Sequence, residues 1–164
     1  MNKLLISAGA LATVALSTPA LAAPSNQASA TATVNIVSPL TLTKNTDLNF
    51  GTIVGPFAGQ VVHVDTTGSR NCAGLTCSGT VSAASFSLTG TASQAVVLTI
   101  PSSVTLNGSV SGTLNVDMSG DLPPNPTLSA GGTAAFSIGG KLTIPAGTVD
   151  GVYSNTFNVT ANYQ

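Results

Sequence analysis

The sequence contains few of the residues that catalysis or charge-based recognition requires. It has no tryptophan, no glutamate, one histidine and two cysteines among 164 residues, and only 5% of the residues are charged. These few groups form no recognisable catalytic triad, zinc centre or glycosidase carboxylate pair. The nearly neutral composition also provides no basic patch for nucleic acid. We therefore expect no enzyme activity, no cofactor or metal, and no nucleic-acid partner.

The single histidine and the acidic residues have simpler explanations than a site. His63 shares a strand face with Asp65, because side chains two positions apart point to the same side. We therefore predict that they form a surface pair. The segment Asp117–Asp121 lacks most of the ligand positions of a calcium loop, so we predict a solvated turn there.

The N-terminus has the pattern of a bacterial export signal. Met1-Asn2-Lys3 is a short positive region, an apolar stretch follows, and Ala20-Leu21-Ala22 is a small-residue cleavage site. We predict a signal peptide at 1–22 that is cleaved, with no transmembrane segment after its removal. The mature chain would be exported through the inner membrane to the periplasm, and then to the cell surface or the medium.

The two cysteines stand close together, with four residues between Cys72 and Cys77. In an exported chain such a pair is typical of a local disulfide. The closed loop is small, so the expected stabilisation is only about 2 kcal/mol.

The remaining sequence indicates strands and turns. Thr, Ser, Ala, Gly and Val dominate, and turn signals recur every eight to twelve residues or so. We predict an all-β sandwich of mostly antiparallel strands, with a flexible N-terminal lead at 23–29 and a single domain at 30–164. Asn107-Gly108 is predicted to be a tight turn, and Gly139-Gly140 the turn of a hairpin.

The chain ends in a long alternating segment. Read with a period of two, residues 151–164 favour one long, half-buried strand that needs cover along its edge. The residues on its inward face are Gly151, Tyr153, Asn155, Phe157, Val159, Ala161 and Tyr163.

Four segments resemble a bacterial family catalogued as domain of unknown function 4402, and the resemblance covers almost the whole mature chain. The family name implies no activity. The segments are Leu48-Asn-Phe-Gly51, Ala84-Ser-Phe-Ser-Leu-Thr-Gly90, Gly139-Gly-Lys-Leu-Thr-Ile-Pro145 and Gly151-x-Tyr-x-x-Thr-Phe-x-Val-x-x-x-Tyr163.

The last segment also resembles, more distantly, the terminal strand of chaperone–usher pilins and of spore-coat-U-like secreted pilins. Those strands typically have a glycine fourteen residues from the end, alternating apolar residues and a penultimate aromatic residue. The matching residues here are Gly151, Phe157, Val159, Ala161 and Tyr163.

The pilin resemblance implies a function as well as a fold. Such subunits are immunoglobulin-like sandwiches that lack one strand, which a periplasmic chaperone supplies until the N-terminal strand of the next subunit replaces it. We therefore expect an exported, structural, pilin-like subunit of a bacterial surface filament (a fimbrium), assembled head to tail with like subunits. The expected chaperone- and subunit-binding strand carries Gly151, Tyr153, Phe157, Val159, Ala161 and Tyr163.

The N-terminal segment leaves two alternatives open. Residues 28–36 alternate as well, and they form either a donor strand for the next subunit or the first strand of the domain itself. The face that would enter a groove carries Ala28, Ala30, Ala32, Val34 and Ile36. The second alternative implies a self-complete secreted or surface-attached sandwich, acting in adhesion or in carbohydrate or protein binding. Phe57 is the one loop aromatic residue that could then form a sugar platform.

Overall fold

The computed structural model describes residues 26–164 of the chain. The predicted signal peptide, 1–22, and the first three residues of the predicted lead lie outside these residues. Within the described range there is no helix with the length and hydropathy needed to cross a membrane.

Residues 26–164 contain thirteen strands, which pair only in antiparallel ladders, and no helix. The prediction of an all-β sandwich of antiparallel strands is confirmed. The strands are β1 (Thr41–Thr46), β2 (Thr52–Val54), β3 (Gln60–Val64), β4 (Arg70–Asn71), β5 (Thr76–Ser78), β6 (Ala84–Thr89), β7 (Val96–Thr99), β8 (Ser103–Gly108), β9 (Thr113–Asp117), β10 (Thr133–Ile138), β11 (Gly140–Ile144), β12 (Tyr153–Ser154) and β13 (Thr160–Tyr163).

Two larger sheets and two small ladders make up the fold. One sheet has the order β1-β6-β10, and the other has the order β12-β8-β9-β11-β3-β4. The small ladders are β13-β7 and β2-β5. Sequence neighbours often lie in different sheets, so the chain crosses between layers many times.

The core follows from the two-residue period of the strands. In β9, Leu114 and Val116 are buried while the residues on either side of them are exposed. Phe86 of β6 stacks on its cross-strand partner Phe136 of β10, with ring centroids 5.3 Å apart. Residues of both larger sheets join one apolar cluster, and no polar or charged residue in the described part of the chain is buried.

The predicted hairpin at Gly139-Gly140 is wrong. β10 pairs with β6, whereas the next strand, β11, pairs with β3 and β9 in the other sheet. The two glycines therefore carry the chain from one layer to the other. A Cβ on Gly139 would overlap the carbonyl oxygen of Val64, so the crossing depends on the missing side chain.

The predicted turn at Asn107-Gly108 is also misplaced. Both residues belong to β8, and the chain reverses at 109–112 before β9 begins. The Gly108 N–H donates to the Gly112 carbonyl at 2.9 Å, which closes this turn.

His63 has a different partner from the one predicted. Its Nε2 lies 3.0 Å from both carboxylate oxygens of Asp121, which joins β3 to the proline-rich connection after β9. The Asp65 carboxylate instead accepts hydrogen bonds from the Thr67 hydroxyl and from the N–H groups of Thr67 and Ser69. These bonds, the one from the Thr67 hydroxyl above all, hold the pKa of Asp65 below its ordinary value.

The predicted disulfide between Cys72 and Cys77 is confirmed. Cys77 lies in β5 opposite Ile53 of β2, so the loop that the disulfide closes ends within the β2–β5 ladder. Arg70 holds the same region, because its guanidinium donates to the carbonyl oxygens of Phe50 at 2.6 Å and Ser78 at 3.1 Å.

The chain divides into two compact units at residue 34. Residues 35–164 form one unit, which contains all thirteen strands. The described part of the other unit, 26–34, contains no strand, and every residue in it is exposed.

We expect Gly139→Ala to destabilise the protein by about 1–3 kcal/mol, because its Cβ would be forced into the Val64–Asp65 backbone. Urea unfolding followed by circular dichroism measures the loss. Gly120→Ala is the matched control, since its Cβ would meet only the flexible end of Lys141 at 3.4 Å, and we expect a change within about 0.5 kcal/mol. Equal losses in both variants would contradict the close-approach argument.

Candidate functional site

The terminal segment, residues 151–164, does not form the single unbroken strand that the alternation predicts. Its first part, β12, pairs with β8, and its last part, β13, pairs with β7. Residues 155–159 between them belong to no ladder.

Pro101 explains the interruption. The terminal segment runs antiparallel along β7 and β8, which are consecutive in the chain, and residues 155–159 lie opposite residues 100–106. Five residues thus oppose seven, at the point where proline provides no N–H for a ladder. The Asn155 side chain partly replaces the lost bonds, since its Nδ2 donates to the Thr105 carbonyl at 2.8 Å.

The inward face of the terminal segment is largely as the alternation predicts. Two exceptions, Gly151 and Asn155, are exposed. A Cβ on Gly151 would lie 3.0 Å from the Ser109 hydroxyl, so the glycine leaves room for the turn at 109–112. The residues that are half-buried and packed against the core are Tyr153, Phe157, Val159, Ala161 and Tyr163.

One edge of the terminal segment has no partner strand among the described residues. Its even-numbered residues bond toward β8 and β7: the Val152 carbonyl accepts from Ser109 N–H, and Gln164 N–H donates to the Ala95 carbonyl. Alternate residues of a strand direct their backbone groups to opposite edges. The odd-numbered residues of the two paired ends therefore present their N–H and C=O groups to the free edge.

A second free edge lies across from the first. β1 pairs with β6 only, so its other edge is unpaired among residues 26–164. At one end of this gap, Leu40 and the Tyr163 hydroxyl both approach Gly90. At the other end, residues 48–53 and 148–155 line the same cavity.

At the end of this gap, between residues 48–53 and 148–155, the apolar core is open, and no residue of β1 lines the opening. The inward residues of β9 and β11 are buried, whereas Val104 and Leu106 of β8 are only half-buried, as is Phe157. The resulting open groove has a volume of about 580 Å³. It is lined by Leu48, Asn49, Phe50, Gly51, Thr52, Ile53, Phe57, Val104, Leu106, Leu114, Val116, Leu142, Ile144, Thr148, Val149, Asp150, Gly151, Val152, Tyr153, Ser154, Asn155 and Phe157.

The open groove suits an apolar strand better than a charged ligand. Among its lining residues only Asp150 is charged. The described residues contain no cluster of three or more His, Cys, Asp or Glu side chains that could hold a metal ion. Unpaired backbone groups on the terminal segment and apolar side chains on the floor are what a strand binds in β-addition.

The segment 28–36 contains no strand. Its residues are exposed, and the exposed fractions of Val34 and Ile36 are 79% and 85%. The other predicted donor residues, Ala28, Ala30 and Ala32, are exposed as well.

Several residues of the site were not predicted from the sequence. Leu48–Ile53 and Val104 have the sequence pattern of ordinary strand residues, because period two does not say which strand edges are left unpaired. Phe57, the predicted sugar platform, is half-buried against the core in the wall of the open groove. The sequence shows that an apolar run ends at Pro101. The effect of Pro101 on the terminal segment could not be predicted, because it depends on the pairing of that segment with β7 and β8.

Comparisons with known proteins match the domain but give no activity. A family model, Domain of unknown function (DUF4402), matches residues 40–163. The chain matches no curated protein and no solved structure.

We expect Phe157→Ala to lower the free energy of unfolding by about 2 kcal/mol, because the half-buried ring packs on the core at the edge of the open groove. Asn158→Ala, one residue further on and exposed, should change it by less than about 0.5 kcal/mol. Urea titration of both variants measures the difference. A loss in Asn158→Ala as large as that in Phe157→Ala would show that the faces are assigned wrongly.

Proposed function

Because the chain belongs to the family described as Domain of unknown function (DUF4402), whose description names no activity, we propose a function from the geometry of the open groove. We propose that the protein is an exported structural subunit of a bacterial surface filament, assembled by donor-strand complementation. The occupant of the groove is residues 28–36 of a second copy of this chain.

The acceptor side rests on the two free edges. A strand laid between β1 and the terminal segment could bond to backbone groups on both sides and place alternate side chains on the floor. The same strand would cover Val104, Leu106 and Phe157, which the chain itself leaves half-buried. This unfilled strand position is the observation that carries the proposal.

The donor side rests on residues 28–36. They are exposed, alternating and uncharged, and they precede the region that the family model matches, which begins at residue 40. Nine extended residues span about 30 Å, against about 36 Å for residues 153–163. The segment is therefore long enough to lie along most of residues 153–163, and it has an apolar face that could contact the floor of the open groove. Its alanine side chains would fit shallow pockets.

The proposed contact builds a chain of subunits. The donor segment and the open groove are different surfaces, so the contact is heterologous and does not close on itself. Until a second copy arrives, the open groove leaves apolar surface and two strand edges uncovered, which favours aggregation. A periplasmic chaperone that fills the groove in transit is part of the proposal.

Export is supported by the sequence and by the disulfide. The pattern at 1–22 is that of a signal peptide, and the Cys72–Cys77 bond is typical of oxidising compartments such as the periplasm. We propose a route through the inner membrane and the periplasm to the cell surface.

The full chain, expressed with its own N-terminus and recovered after export, should form ladders on a gel run without boiling, and filaments in the electron microscope. The double variant Val34→Asp/Ile36→Asp should give monomers only, because burying two carboxylates in an apolar groove costs several kcal/mol. Thr33→Asp changes the opposite face of the same segment and is the matched control, so it should still polymerise.

A second measurement isolates the open groove. A peptide with the sequence of residues 28–36 should raise the melting temperature of the monomeric double variant, since ligand binding to the folded state stabilises it. The same peptide with aspartate at positions 34 and 36 should have no effect. An intact chain that stays strictly monomeric without a chaperone, and that does not respond to the peptide, would overturn the proposal.

The alternative of a self-complete binding module has less support. Its best candidate platform, Phe57, is half-buried in the groove wall, where a sugar ring could not stack on an open face. A glycan screen with a clear hit that Phe57→Ala abolishes would favour this alternative instead.

A further inference from the structure

The penultimate residue of the chain is bonded to the beginning of the domain. The Tyr163 hydroxyl donates to the Ser38 carbonyl at 2.8 Å and accepts from the Thr91 N–H at 2.7 Å. The Ser38 N–H in turn donates to the Thr91 hydroxyl at 2.7 Å. Both backbone groups of Ser38 are therefore held, and we call this arrangement the Ser38 junction.

Two neighbouring residues, Gly90 and Pro39, favour the geometry of the Ser38 junction. A Cβ on Gly90 would overlap the Tyr163 hydroxyl, so the phenol reaches Ser38 only because position 90 has no side chain. Pro39 follows Ser38 directly, and its ring fixes one backbone dihedral angle on the domain side. Ser38 belongs to no strand, and these hydrogen bonds restrain both of its backbone groups.

We propose that Tyr163 is a positioning residue that restrains the backbone at Ser38, two residues after the end of the N-terminal segment 28–36. The role of that segment as a donor rests on the proposed function, whereas the restraint at Ser38 does not. The ring of Tyr163 packs on the core, and this packing restricts the motion of its hydroxyl.

The terminal segment would then have two functions, one in binding the next subunit and one in restraining Ser38. The free edge of the terminal segment is where residues 28–36 of a second copy would bind. Tyr163 of the same terminal segment restrains Ser38, which follows the chain's own residues 28–36. Successive subunits would then be joined through one element, and the Ser38 junction would set how stiff the joint between them is.

Spin labelling next to the Ser38 junction tests the proposal directly. Val37→Cys provides a label site, because Val37 is exposed and the two native cysteines are bonded to each other. In the full chain the label should be largely immobile. Tyr163→Phe keeps the ring and removes both hydrogen bonds, so the ratio of mobile to immobile label should rise about tenfold.

Tyr153→Phe is the matched control at the other end of the terminal segment. Its hydroxyl also bonds to backbone, donating to the Val149 carbonyl at 2.7 Å, but it lies away from Ser38. Label mobility should not change in this variant. Thr91→Val removes only the hydroxyl that accepts from Ser38 and should raise the mobility partly, which covers the case in which Tyr163→Phe fails to fold.

Filament stiffness gives the second readout. Filaments of Tyr163→Phe should have a shorter persistence length in electron micrographs than those of the unchanged chain. If the unchanged chain forms no filaments but Tyr163→Phe frees the label, the proposed function fails and the role of Tyr163 stands. If neither Tyr163→Phe nor Thr91→Val changes label mobility relative to Tyr153→Phe, the role of Tyr163 is overturned.

Discussion

Continuous antiparallel pairing of strands that bury alternate residues is the constraint on which this protein depends. The described core contains no charged or polar side chain, and the chain has few ion pairs to add, so ladders and apolar packing hold the layers together. Where pairing is complete, as around β9 and β11, the inward side chains are buried. Where a strand edge has no partner among the described residues, as along the terminal segment, the same kind of side chain is only half-buried.

The faces of the strands could be predicted from the sequence, but their partners could not. Period two assigns Phe157, Val159 and Tyr163 to the inward side, and the structure places them there, because alternation is a local property of an extended chain. The glycine pair at 139–140 looks the same in a hairpin as in a crossing between sheets. Only contacts between residues distant in sequence distinguish these cases, and a two-residue pattern contains no information about them.

In the candidate site, too, some features could be predicted from the sequence and others depended on strand pairing. Its rim at 151–164 carries a visible alternation, so its importance could be predicted. Its floor and opposite wall, such as Val104 and Leu48–Ile53, resemble any other strand until the topology shows that no strand lies between the two edges. The break at 155–159 arises because Pro101, in the connection between β7 and β8, provides no N–H there, which the terminal sequence itself could not reveal.

The bond between Tyr163 and Ser38 joins residues 125 positions apart. A contact of this separation adds nothing until almost the whole chain is present, and closing so large a loop makes folding slow. During synthesis the N-terminal part emerges first, and the residues of β13 emerge long after those of Ser38. A chain that lacks residues 160–163 would lose both β13 and the hydrogen bond to Ser38, so this end of the sandwich cannot form before those residues are made.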